Sequence, residues 1–164
     1  MDGLKTGYTD KSGYCITTTA KRDNLRFITV VMGEPTSSIR NSETTAMLDY
    51  GFNTYQIDTL VDKNQVLSKR RVSLGKSDWV DVGAKESINI LNTKVGDKRN
   101  VSYVVEVSPI KAPVKVGDVV GKIKVFENNK TIMEVDATVL ENIDKANIFL
   151  VYYKNLIAIM KGTI

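Results

Sequence analysis

Between residues 54 and 140 the chain offers seven short β-type stretches with no helical pattern between them, and nothing else limits its fold so tightly. The stretches are Thr54–Val61, Val66–Leu74, Trp79–Val82, Ser87–Leu91, Val101–Val107, Val119–Glu127 and Thr131–Leu140. Turn chemistry separates them at Asp62-Lys63-Asn64, Gly75-Lys76-Ser77, Gly96-Asp97 and Glu127-Asn128-Asn129-Lys130. Val101–Val107 and Ile123–Phe126 keep a period of two, as half-buried strands do. Short strands at near-regular spacing predict a mainly β fold with a small β-sandwich over residues 52–144.

The flanks read differently. Residues 1–51 open with Asp2-Gly3-Leu4-Lys5-Thr6-Gly7-Tyr8-Thr9, followed by a hairpin turn at Asp10-Lys11-Ser12-Gly13. Tyr14–Lys21 alternates with threonines, Arg22-Asp23-Asn24 turns again, and Leu25–Met32 carries apolar residues on both faces. Such a strand requires cover on both sides. After Gly33-Glu34-Pro35, Ser37 or Ser42 is placed to cap a helix running to Asp49, with Ala46, Met47 and Tyr50 as its apolar stripe and Gly51 as its stop. Three strands and one helix leave one sheet face bare. The segment is therefore expected to be the less ordered part, or to complete its sheet with a second chain as a homodimer.

Residues 145–164 predict one helix over Ala146–Met160, capped by Asp144. Phe149, Tyr152, Tyr153, Leu156, Ile157 and Met160 project onto one wide apolar face, opposite a narrow stripe of Lys154, Ala158 and Lys161. Charge sharpens this. Residues 1–52 carry six basic and six acidic side chains, residues 53–144 carry fourteen and thirteen, and residues 145–164 carry three lysines and no acid. Most of the net +4 thus lies in the tail. The apolar run is too short for the ~20 residues of a membrane span. A basic amphipathic helix of this kind suits the surface of an anionic membrane, although it could instead pack on the sandwich or on another chain.

Other chemistry is thin. Cys15 stands alone, so no intrachain disulfide can form, and the chain has no histidine. No cluster has metal-ligand spacing, and no cofactor is implied. Lys69-Arg70-Arg71 is a lone basic triplet, which argues against nucleic acid and for a solvated strand edge. Met1 is followed by no signal-peptide pattern; the numbering is expected to start within a longer protein.

Lys5-Thr6-Gly7 matches the Lys-Thr-Gly signature that accompanies S-x-x-K and S-x-N in penicillin-recognising serine enzymes. Alone it would be read as a polar strand end. Its flanks, DGLKTGYTDKSGYCITTTAKRDNLRFITVVMG and then SETTAMLDYGF, resemble the last strands and the next helix of the low-molecular-mass serine-type D-alanyl-D-alanine carboxypeptidases. A hundred residues on, Ala112-Pro113 through Gly117 to Val120-Gly121 resembles the AP-x-x-x-G-x-x-VG signature of the small β-domain appended to these enzymes. The resemblance implies residues 1–51 as the end of a penicillin-binding catalytic domain, 52–144 as the appended domain and 145–164 as a membrane anchor. It implies extracytoplasmic placement on the outer face of the bacterial cytoplasmic membrane, with peptidoglycan stem peptides and β-lactams as ligands.

In that family the wall strand carries roles that fall here on Lys5 (a fixed positive charge near the nucleophile), Thr6 (a hydroxyl for the peptide carboxylate), Gly7 (room for substrate backbone) and the N–H of Tyr8 (an oxyanion donor). No catalytic serine is expected. Ser73-Leu74-Gly75-Lys76 and Ser87-Ile88-Asn89 satisfy S-x-x-K and S-x-N but follow the Lys-Thr-Gly instead of preceding it, and neither sits at the start of a helix. The chain by itself is therefore expected to be inactive. A cell-surface β-sandwich serving as a spacer or binding module is the alternative of another class.

Overall fold

A computed structural model of the chain describes residues 2–96 and 99–160. It divides into two units, the first made of residues 1–58 and 90–98, the second of residues 59–89 and 99–164.

In the first unit β1 (Gly3–Thr9), β2 (Gly13–Arg22) and β3 (Leu25–Glu34) form an antiparallel sheet in that order. Both hairpins close on backbones that need a left-handed residue. Gly13 has φ 64°, where a Cβ would lie 2.8 Å from the Glu34 carbonyl oxygen, and Asp23 has φ 52°. Alternation then sends Ile16, Thr18 and Ala20 to the buried face. The other face is bare, with Ile28, Val30 and Met32 exposed.

Helix α1 (Ser37–Thr54) packs on the buried face and differs from the sequence expectation in three respects. Its N-cap is Thr36, whose Oγ1 accepts from the Ile39 N–H at 3.2 Å, and not Ser37 or Ser42. It runs through Gly51 to Thr54. Gly51 does not stop the helix; it makes room for the Phe27 ring, which lies 3.0 Å from where a Cβ would be. Its buried stripe is Thr44, Leu48, Gly51 and Phe52, while Ala46, Met47 and Tyr50 are exposed. Packing decides this: Leu48 and Phe52 close with Ala20, Leu25 and Phe27 into one cluster, with the Phe27 and Phe52 rings edge to face at 5.0 Å.

Asp2 ties the start of the sheet together. Its N–H donates to the Thr19 carbonyl, and its carboxylate accepts from Thr19 Oγ1 and the Arg26 guanidinium, both at 2.8 Å. The Arg26 bonds, then that of Thr19, hold the Asp2 pKa down to about 2. Because the folded pKa lies below the unfolded value of about 4, this stabilisation is complete above pH ~4 and is lost as pH falls through about 2. Acid titration of the melting temperature should therefore be shallower in Asp2→Asn than in the wild type between those two values. Identical slopes would contradict the assignment.

The other strands are β4 (Tyr55–Val61), β5 (Val66–Ser73), β6 (Trp79–Ala84), β7 (Ile88–Thr93), β8 (Val101–Val107), β9 (Ile110–Lys111), β10 (Val119–Glu127) and β11 (Lys130–Val139). They form a six-stranded sheet in the order β8-β10-β11-β6-β5-β9 and a two-stranded sheet of β4 with β7. The fold is mainly β, as the spacing of turns predicts. All seven expected stretches are present, with ends shifted by about two residues at most. β9 is additional: two residues beside Pro109 run parallel to Val72 and Ser73. The sheet core is Val80, Val82, Ala84, Ile123, Val125, Ala137 and Val139, all fully buried. Register explains it, since Ala137 faces Ala84, Val139 faces Val82 and Ile123 faces Val135 across the ladders.

The last element is α2 (Ile148–Met160). Asn147 caps it, its side-chain oxygen accepting from the Leu150 N–H at 2.8 Å. Asp144 does not serve as the cap. It pairs with Lys76 at 3.0 Å, and the Ala146 N–H donates to the Leu74 carbonyl, which keeps residues 144–146 extended beside the turn that follows β5.

Candidate functional site

β1 is an edge strand, and Lys5, Thr6, Gly7 and Tyr8 all lie exposed along it. Register places Lys5 opposite Thr17, Thr6 opposite Ile16, Gly7 opposite Cys15 and Tyr8 opposite Tyr14. Alternation along the strand therefore puts Lys5 and Gly7 on the bare face and Thr6 on the face of Ile16. The Lys5 ammonium donates to the Thr6 carbonyl at 2.8 Å. At Gly7 no atom lies within 4 Å of where a Cβ would be, so the strand is open to a close approach there. The Tyr8 hydroxyl donates to Asp10 at 3.0 Å, which raises its pKa because the neutral phenol is the form that donates. Its ring lies 4.4 Å from that of Tyr14.

A shallow hollow of about 230 Å³ joins Lys5 and Gly7 to Cys15, Thr17, Val30 and Met32. Cys15 and Thr17 did not stand out in the sequence as site residues. The hairpin turn over residues 10–12 was the signal, since it fixes residue 15 opposite residue 7. Among the described residues, no cluster of His, Cys, Asp or Glu could hold a metal ion.

The two S-x-x-K and S-x-N look-alikes have structural partners. Ser73 Oγ donates to the Ile110 carbonyl at 3.2 Å, Lys76 pairs with Asp144, and Leu74 between them has φ 59°, outside any helix. Ser87 Oγ accepts from the Lys63 N–H, and Asn89 accepts from Thr59 Oγ1, both at 3.0 Å.

On α2, Phe149, Tyr152, Tyr153, Leu156 and Met160 are exposed, as are Ile148 and Ile159. Ile157 leaves the expected face; it is half-buried and lines a cleft with Val151, Pro109 and Ile110. Lys154 points to the turn between β5 and β6. Lys161 and the side chain of Ala158 lie outside the described residues. No helix among the described residues is long and apolar enough to cross a membrane.

Residues 55–145 match the family profile of the penicillin-binding protein 5 C-terminal domain. The chain belongs to the penicillin-binding protein 5 family. Residues 1–36 match the D-alanyl-D-alanine carboxypeptidase profile, so this penicillin-binding protein 5 relative matches both profiles. It is 34% identical over 155 residues to D-alanyl-D-alanine carboxypeptidase DacF of Bacillus subtilis, covering 94% of this chain and 40% of that protein. It is 31% identical over 151 residues to DacA of Escherichia coli K12, covering 91% of this chain and 37% of that one. Among solved structures, penicillin-binding protein 5 of Haemophilus influenzae aligns with a TM-score of 0.66 at 29% identity, over 86% of this chain and 42% of its own. The chain thus spans about 40% of the length of the curated relatives it matches.

Proposed function

We propose that this chain is the C-terminal part of a serine-type D-alanyl-D-alanine carboxypeptidase that trims the last D-alanine from peptidoglycan stem peptides. One observation carries the reading: Lys5-Thr6-Gly7 lies on an open edge strand, beside a sheet face whose apolar side chains have no cover among the described residues. Such a face marks a surface that another segment buries. The exposed Met47 and Tyr50 on α1 argue the same way. We assign that cover to a segment outside residues 1–164, which on the family resemblance would carry the S-x-x-K and S-x-N motifs. A homodimer across β3 is the competing occupant.

In the reaction a serine outside residues 1–164 attacks the carbonyl between the two D-alanines. The peptide C–N bond breaks, D-alanine leaves with a proton, and water then releases the acyl chain. From this side Lys5 supplies fixed positive charge, Thr6 a hydroxyl for the terminal carboxylate, Gly7 the space for substrate backbone, and the Tyr8 N–H a bond to the developing oxyanion. By itself the chain should show no turnover, because removing the nucleophile removes most of the rate. Incubation with benzylpenicillin and intact-mass measurement tests this: no adduct is expected on the isolated chain.

We also assign residues 52–144 as the appended domain and α2 as an anchor on the outer face of the cytoplasmic membrane. Exposed aromatic and aliphatic side chains on a helix free of acid support this. Phe149→Glu with Tyr153→Glu should lower partition onto lipid vesicles at least about tenfold, from the apolar area withdrawn from lipid. Flotation of both proteins with vesicles is the measurement, and unchanged binding would remove the anchor reading.

A further inference from the structure

The Lys154 ammonium is received by three oxygens of the turn between β5 and β6. They are the Gly75 carbonyl at 3.1 Å, the Lys76 carbonyl at 2.9 Å and the Asp78 carboxylate at 2.6 Å. An ammonium has three donors, and here each has an acceptor.

The turn is built to hold those oxygens in place. Leu74 takes φ 59°, a conformation uncommon for a residue with a Cβ. At Gly75 a Cβ would lie 2.7 Å from the Ser77 carbonyl oxygen and 2.8 Å from Ile143, so only glycine fits. Three backbone bonds fix the rest: Val72 N–H to the Asp78 carbonyl, Lys76 N–H to the Asp144 carbonyl and Ala146 N–H to the Leu74 carbonyl, at 2.8 to 2.9 Å. The same segment that supports the turn leads into α2. Lys154 is the one charged side chain between Ile148 and Met160.

We propose that Lys154 is a positioning residue: held by the Gly75, Lys76 and Asp78 oxygens, it fixes α2 on the β-sheet unit so that the helix presents a purely apolar face to a lipid surface. This rests on the anchor reading above and changes its chemistry. Lipid contact falls to Phe149, Tyr152, Tyr153, Leu156, Ile159 and Met160, and the lysine contributes orientation instead of attraction to anionic headgroups.

The test uses the full 164-residue chain with Cys15→Ser and nitroxide labels at Thr131→Cys and Met160→Cys. One narrow inter-label distance is expected in buffer. Lys154→Gln should broaden it, Lys154→Arg should restore it, and Asp78→Asn, which leaves the α2 sequence untouched, should broaden it too. Binding of the unlabelled chain, with Met160 intact, to phosphatidylcholine vesicles with and without phosphatidylglycerol gives the second reading. Lys154→Gln should leave the preference for the anionic vesicles unchanged to within about twofold, whereas loss of a lysine that faced lipid would lower it about fivefold. A narrow distance in Lys154→Gln, or a fivefold loss of that preference, overturns the proposal. Should the wild type bind neither vesicle, the anchor reading fails, and the distances still decide whether Lys154 fixes the helix.

Discussion

Gly121→Ala should destabilise the β-sheet unit by about 3–5 kcal/mol, at the upper end for a single substitution. Gly121 lies in β10 opposite Val107 of β8, beside a register shift on its β11 side. A Cβ there would lie 2.0 Å from the Glu106 carbonyl oxygen and 2.8 Å from the Val107 Cα. Both obstacles are backbone, so no side chain can swing away. The strands would have to part, and the buried Ile123 and Val125 that follow in β10 would lose their packing. Denaturant unfolding of the two proteins measures the difference. Gly117→Ala is the instructive control. No atom crowds a Cβ there, and only φ 91° opposes the change, at roughly 1–2 kcal/mol. Equal losses at the two positions would show that crowding across the β8–β10 pair is not what Gly121 relieves.

Lys5→Ala should slow acylation by benzylpenicillin by roughly 10²–10³-fold in the longer protein from which we propose this chain comes, the range for losing one electrostatic group at a reacting centre. Thr6→Val should act in the same direction through the carboxylate it no longer binds. Gly7→Ala separates site from fold. The space around its missing Cβ is empty in this chain, so the isolated variant should melt where the isolated wild type does, while acylation of the longer protein falls. Stopped-flow or gel-based acylation rates beside thermal melts would check all three. Normal rates in Lys5→Ala would remove the strand from the cleft.

Much of the β fold is legible in the sequence. Turn residues and period-two runs located the strands of the β-sheet unit because each is bounded by residues with strong local preferences. The AP-x-x-x-G-x-x-VG run was legible as a pattern, and the structure supplies its reason: Gly117 takes a positive φ and Gly121 gives way to the neighbouring strand. Helix α1 was harder to read. Its inward stripe includes Thr44 and Gly51, which no apolar count picks out, while Met47 and Tyr50 point away from the sheet. Gly51 looked like a stop because glycine's entropy cost is local, yet the Phe27 ring filling the space beside it is a tertiary effect that overrides it. Lys154 was legible as a helix residue, whereas its contacts were not, since its three acceptors come from residues more than seventy positions away.

The central claim is that Lys5-Thr6-Gly7 forms one wall of a cleft whose nucleophile is not among these residues. Mapping the benzylpenicillin adduct by peptide mass spectrometry tests it most directly, in the isolated chain and in the longer protein. No adduct is expected on the isolated chain, and one is expected on the longer protein, at a serine before Met1 followed three residues later by lysine. An adduct on Ser73, Ser87 or any other residue of this chain, or none on the longer protein, would contradict it.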